Sequence, residues 1–375
     1  MDDLVKKHTF CATSIFLLLT LSRAYFRSII YEFLQIFASS ITYTIHARVA
    51  LWDNLKFGLI FFVVLGHFVE GYVESSHMMR STFIFIYSFH MPLFLFVSGL
   101  FAKSTDSGQK LVVKVFTLWG LGFFAKVICA ACGASLSIFS DAGIPWFLFV
   151  LGTYHLLLYL LRPIRPSYLI VGSILLACIS GYDTSIGDFL YVSRTIVFLP
   201  FFLCGHFIDR ERLLHFLHRK GVRLAAMAIL VLFAWYCYRY DNVIYQLRYL
   251  FTGRNPFINR AGALLRCLCY AISSIIGIAW IAVIPARRLA VVTRAGRNTL
   301  AVYVWHLLLL SLYHSLGIHL LLMETFGRWW IVIHVLCALA VTLFLSADFI
   351  SAPFRAFQNN AAIRSTTDTK RVNDG

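Results

Sequence analysis

The chain has 375 residues, 60% of them apolar and only 13% charged, against roughly 25% charged in soluble domains. A water-soluble globule cannot hide that much apolar surface, which excludes a soluble enzyme, a disordered protein and a coiled coil. The 33 Lys and Arg against 17 Asp and Glu give a net charge of +16, but the charges sit in short gaps between long apolar runs. That placement speaks for loop topology and membrane lipid rather than nucleic acid, and the length of the runs excludes a β-barrel.

Residues 1–47 form an N-terminal extension. Its apolar run at 10–21 is shorter than the ~20 residues a span requires, and Lys6 and Lys7 before it resemble the start of a signal peptide without a clear cleavage site. Residues 28–45, with Glu32 and Gln35, fit an interfacial or an additional membrane helix. From residue 48 to 350 the pattern predicts an all-α, polytopic transmembrane protein with about ten core helices. These cover 55–73, 82–101, 111–133, 145–161, 167–181, 189–208, 223–238, 262–284, 298–316 and 328–350, the fifth and seventh being short. The tail 351–375 is polar and expected to be disordered.

Lys and Arg sort the gaps into two sets. Gaps 102–110, 162–166, 209–222 and 285–297, together with the tail, are basic and fall on one side if the helices alternate. The positive-inside rule then places the start of the 48–350 domain and the C-terminus in the cytoplasm. Gap 239–261 breaks the rule, with Arg239, Arg248, Arg254 and Arg260 on the outer side. Nine scattered cysteines, mostly within apolar runs, read as small buried hydrophobes rather than a disulfide framework, Cys129 and Cys132 included.

Charged groups inside a bilayer are costly, so each needs a reason. Asp53, Lys56, His67 and Glu70 are spaced 3, 11 and 3 residues apart, which lays all four along one helical stripe. His67 then lies about 16 Å from Lys56 along the axis. On the plainer reading Asp53 and Lys56 pair at the interface and His67 bonds a neighbouring helix. His90, two residues before Pro92, falls at mid-span of the second helix beside an expected kink. The ninth helix opens with Arg297-Asn298-Thr299 and carries Tyr303 and His306 on the face of Thr299. His67, His90 and His306 reach similar depths, which suits a proton path, a metal site or acid–base chemistry. None of these three histidines belongs to a local H-x-x-H or H-E-x-x-H spacing, so no metal is expected. Arg194 and Arg266 lie towards the outer ends of their helices; both either snorkel to the interface or face a polar acceptor.

The run Arg48-Val-Ala-Leu-Trp-Asp53-Asn54-Leu-Lys56, with Val63-Val-Leu-Gly-His67, resembles the first-helix signature of the acyltransferase 3 family, in particular its fucose 4-O-acetylase type. Phe89-His90-Met91-Pro92, Pro145-Trp146-Phe147-Leu148, Arg194 with Phe198-Leu199-Pro200, Arg266, and Gly296-Arg297-Asn298-Thr299 through Tyr303 to His306 resemble the family's later motifs in the same order. The resemblance implies an integral-membrane O-acyltransferase that moves an acyl group, usually acetyl from acetyl-CoA, to a hydroxyl of a sugar or glycan acceptor. It implies catalytic roles for His67, Glu70, His90, Tyr303 and His306. It also implies donor binding by Arg48, Asp53, Asn54, Lys56, Arg297, Asn298 and Thr299, and acceptor binding by Arg194 and Arg266. Many members carry arginine eleven residues before the histidine; here Lys56 keeps the cation without the planar fork. The rival reading is a proton-coupled secondary transporter using His67, Glu70 and His90 as a relay. A membrane scaffold without chemistry is a third, disfavoured by the cost of its midplane polar groups. Dependence on acyl-CoA separates the first reading from both.

Overall fold

The computed structural model describes residues 50–102, 108–133 and 145–355. The 1–47 extension, Arg48 and Lys103 lie outside these residues. Among the described residues the chain is helical throughout, with no strand. It runs α1 (Ala50–Glu70), α2 (His77–Tyr87), α3 (His90–Phe101), α4 (Gly108–Ala131), α5 (Trp146–Leu160), α6 (Pro166–Ser180) and α7 (Val192–Phe207). Then follow α8 (Arg210–Leu217), α9 (Lys220–Arg239), α10 (Asp241–Tyr245), α11 (Arg248–Phe251), α12 (Gly262–Val283), α13 (Ala290–Ala295), α14 (Thr299–Ser315), α15 (Ile318–Phe326) and α16 (Trp330–Leu345).

Seven stretches among the described residues are long and apolar enough to cross a membrane, and α5, α6 and α14 are shorter apolar helices. The seventh predicted span is longer than expected, at Lys220–Arg239. The gaps 209–222, 239–261 and 285–297 hold short helices instead of plain turns: α8, α10, α11 and α13. The helical backbone also continues through 348–355, into the segment expected to be disordered. There Arg355 pairs with Asp348, and the Asn298 amide donates to the Ser346 carbonyl at 2.7 Å and the Asp348 carboxylate at 3.2 Å.

The second predicted span is broken between Tyr87 and His90, one turn ahead of Pro92. Proline supplies no N–H, so the Ser88 carbonyl, four residues earlier, loses its helical donor. The Ser273 hydroxyl of α12 donates to that carbonyl at 2.5 Å, and Ser273 is buried. Ser273→Ala is therefore expected to destabilise the protein by about 1–3 kcal/mol, the cost of a buried carbonyl left without a partner. Thermal unfolding in detergent checks this; an unchanged midpoint would show the carbonyl satisfied otherwise.

α1 is the hub, packed against α2, α3, α13, α14 and α16, while α3 packs along α7 and α12 along α3 and α9. Two apolar cores divide α1 by height. Leu51, Leu55 and Leu59 pack with Phe89, Leu93 and Ile281, whereas Val64 and Phe68 pack with Ile84, Phe202 and Val302. The bundle thus has a Lys56 end and a Glu70 end. The C-terminal end of α6, the N-terminal end of α12, the loop 252–261 and Arg194 gather at the Glu70 end.

Candidate active site

A cavity of about 450 Å³ opens at the Glu70 end. Both Glu70 and Arg254 in its wall reach solvent. Helical periodicity explains which residues line it. α1 contributes Val63, His67 and Glu70, spaced four and three apart, and α14 contributes Tyr303, Leu307, Leu310, Ser311 and His314, which fall on one face at offsets of 4, 7, 8 and 11 from Tyr303. Tyr87 from α2, His90 and Met91 from α3, Cys129 and Cys132 at the end of α4, Trp146 from α5, Arg194 and Phe198 from α7, and Phe251, Thr252 and Arg254 complete the wall.

His67 Nδ1 lies 3.1 Å from Glu70 Oε2, and the Tyr87 hydroxyl donates to the same oxygen at 3.4 Å. A carboxylate only accepts, so the neutral imidazole carries its proton on Nδ1 and leaves Nε2 as a bare base. His90 Nδ1 donates to the Ile86 carbonyl at 2.8 Å, leaving its Nε2 in the same state. His306 Nδ1 donates to the Val302 and Tyr303 carbonyls at 3.0 and 2.9 Å, and its Nε2 is buried without a hydrogen-bond partner among the described residues. The His67 and His306 rings lie 5.6 Å apart, with His306 behind the cavity wall rather than in it.

α1 is held at this height by a residue far along the chain. The Tyr72 N–H bonds the Val69 carbonyl, so the helix ends and the Phe68 carbonyl loses its usual donor. His334 Nε2 of α16 donates to the Phe68 carbonyl at 2.9 Å, and the Tyr313 hydroxyl sits 2.7 Å from His334 Nδ1. This buried pair clamps the backbone one residue after His67.

Arg194 is buried in the wall, with its guanidinium 5.2 Å above the Trp146 ring and its Nε donating to the Thr252 carbonyl at 3.3 Å. Its position depends on an unusual helix start. Leu190 and Tyr191 adopt left-handed conformations, φ 50° and 57°, at a cost on the order of 1–3 kcal/mol each. Tyr191 is held there by stacking on Phe149 at 5.2 Å, with the Lys126 ammonium 5.2 Å from its ring. The turn delivers Ser193, whose hydroxyl donates to the Gly253 carbonyl at 2.6 Å, and then Arg194.

Arg266 is not in the cavity wall. It is fully buried and donates to the Leu250 and Arg254 carbonyls at 3.4 and 3.2 Å and to Asn255 Oδ1 at 3.0 Å. It thus buttresses the loop that carries Phe251, Thr252 and Arg254 to the cavity.

The remaining residues gather at the Lys56 end. The buried Asp53 carboxylate bonds Lys56 Nζ at 2.8 Å and Arg297 Nε at 3.2 Å. Asn54 spends its amide on the Pro285 and Arg287 carbonyls, at 2.8 and 3.0 Å, and accepts from the Thr293 hydroxyl at 2.6 Å. Gly296 rests on the Asp53 carbonyl so closely that a Cβ would collide with it. Asn54 and Asn298 are therefore committed to backbone and neighbours, Thr299 begins α14, and the cations Lys56 and Arg297 flank one carboxylate. Between the two ends, Leu59 and Ile60 are buried in the apolar cores.

Sequence reasoning did not single out Tyr87, Trp146, Arg254, Tyr313 or His334 as site residues. Arg254 had a signal, since it lies in the basic gap that breaks the charge rule. His334 had none, because its partner Phe68 is 266 residues away.

The family described as an acyltransferase domain, acyltransferase 3, matches residues 49–350. No curated protein and no solved structure matches the chain.

Proposed function

The chain belongs to the acyltransferase 3 family of membrane acyltransferases, and from that membership we propose that it moves an acyl group, acetyl by default, from acyl-CoA to a hydroxyl of a carbohydrate or glycan acceptor. The observation that carries this reading is the His67–Glu70 pair in the wall of the cavity, with His90 and Tyr303 beside it.

In this mechanism the acceptor hydroxyl enters from the Glu70 end and hydrogen-bonds to His67 Nε2. As its oxygen attacks the thioester carbonyl, Nε2 takes the proton, and Glu70 on Nδ1 steadies the imidazolium that forms. The CoA thiolate departs, and His67 returns the proton to it. The Tyr303 hydroxyl donates to the oxyanion, the bare His90 Nε2 accepts from and orients the acceptor's hydroxyls, and His306, behind the wall, backs the His67 ring at 5.6 Å. Trp146 and Phe198 stack at 5.4 Å and offer an aromatic face to the apolar side of a sugar ring. The likeness of the first-helix motif to fucose 4-O-acetylases supports a sugar as acceptor. Arg194 and Arg254 donate to the acceptor's oxygens, and Arg266 acts through the loop it holds.

The donor reaches this site from the Lys56 end, which the Lys and Arg distribution assigns to the cytoplasm. Lys56 and Arg297, with Arg48, supply the cations that phosphates require. The acyl arm spans roughly the 16 Å from Lys56 to His67, with Leu59 and Ile60 giving way to it.

The test is label transfer in reconstituted vesicles supplied with radiolabelled acetyl-CoA and a mixed pool of sugars and glycolipids. Label is expected to move to carbohydrate. Folded protein that neither binds CoA nor turns over the thioester would rule the reading out and leave proton-driven transport as the alternative use of the same histidines.

A further inference from the structure

At the Glu70 end, Cys178 of α6 and Cys267 of α12 bring their sulfur atoms to 3.6 Å, across 89 residues of sequence. We propose that this pair is a disulfide site, oxidised by thiol–disulfide exchange with a small or protein disulfide, and that the bond staples α6 to α12 beneath the cavity rim.

The backbone is already arranged for it. The end of α6 is tied to the loop 255–260 and to the start of α12 by hydrogen bonds that do not involve sulfur. The Phe257 N–H donates to the Gly181 carbonyl at 2.6 Å, and the Asn255 amide to the Ser180 carbonyl at 3.3 Å. The Tyr182 hydroxyl donates to the Arg260 carbonyl at 2.7 Å and accepts from the Ala263 N–H at 3.3 Å. With these segments held side by side, the sulfurs at 3.6 Å stand about 1.5 Å from the ~2.05 Å of a disulfide.

Reactivity is also differentiated. Cys267 is exposed and Cys178 half-buried, and both lie within about 8 Å of their helix ends. The Cys267 thiolate attacks the oxidant disulfide, giving a mixed disulfide and releasing one thiol. Cys178 then attacks the Cys267 sulfur and releases the second thiol. Two protein thiols are oxidised to one disulfide, and one oxidant disulfide is reduced to two thiols. Arg266, next to Cys267, holds the Leu250 and Arg254 carbonyls, so the staple fixes the helix on which the rim rests.

The full-length protein is purified in detergent and equilibrated with oxidised or reduced glutathione. It is then alkylated under denaturing conditions and mapped by peptide mass spectrometry, with thermal midpoints measured alongside. The expected result is a linked Cys178–Cys267 peptide in most oxidised molecules, and a midpoint roughly 5–10 °C above the reduced protein, because the bond closes a long loop. Cys178→Ser and Cys267→Ser should each lose the peptide and match the midpoint of the reduced wild type. Complete alkylation of both cysteines in oxidised, folded protein would overturn the proposal, as would a main product linking either one to a different cysteine.

Discussion

Replacing His67 by alanine is expected to lower acyl transfer by about 10²–10⁴-fold, the range general-base catalysis contributes, with the protein still folded in the membrane. The substitution should be tolerated because His67 makes its polar contact with Glu70, which is itself exposed, and closes no buried network. The helix height at this point is set by the His334 bond to the Phe68 carbonyl, which the alanine leaves in place. The comparison is initial rate at saturating acetyl-CoA, wild type beside variant, with matched thermal midpoints as the folding control. A variant that transfers label at the wild-type rate would remove His67 from the mechanism. His90 and His306, each with a bare Nε2, and His314 in the cavity wall would then be the imidazoles to test next.

The second large effect concerns assembly rather than chemistry. α3 and α7 cross with backbones in contact: a Cβ on Gly99 would run into the Phe202 carbonyl, and one on Gly205 into the Phe96 carbonyl. In a membrane, helices gain little from apolar burial against each other, so close approach through small residues carries the packing. Gly99→Val forces the helices apart where neither backbone can yield. A loss of about 3 kcal/mol or more is expected, read as disappearance of the monodisperse peak on size exclusion in detergent. Gly58→Ala is the control, since a Cβ there meets nothing within 4 Å; it should leave the peak unchanged. The same pair of helices carries His90 on α3 and Arg194 on α7 into one cavity wall, so milder changes at Gly99 should weaken transfer before they unfold the protein. Survival of Gly99→Val with a wild-type midpoint would mean that the two helices pack differently.

Much of the fold was legible because a bilayer imposes a simple demand. Every backbone polar group must be satisfied within its own segment, so long apolar runs become helices and polar runs become gaps. The spans agree with the pattern to within a few residues at most ends. The first starts earlier, at Ala50, because Asp53 and Lys56 pair within the helix instead of ending it. The break before Pro92 was foreseeable as a kink, but its place, at Ser88–Phe89, follows from where the missing N–H is felt and from Ser273 coming to the orphaned carbonyl.

Local spacing also put His67 and Glu70 on one face, since three residues are nearly one turn. What spacing could not supply was the partner across the helix boundary. Arg194 and Arg266 look alike in sequence, each an arginine near the outer end of a span. One enters the cavity wall and the other is consumed by three acceptors in the loop 250–255. Cys178 and Cys267 likewise read as two scattered apolar cysteines until α6 and α12 are laid side by side.

Composition and periodicity alone therefore determined the membrane class, the approximate spans, the two chemically distinct ends and the His67–Glu70 stripe, all properties that neighbouring residues impose on one another. The tertiary structure decided which polar groups meet: Asn54 with Thr293, Ser88 with Ser273, Phe68 with His334, at separations of 239, 185 and 266 residues. Such contacts depend on which helix packs beside which and at what height. That is settled by backbone close approach and the shape of buried side chains, which no pattern within a single helix records.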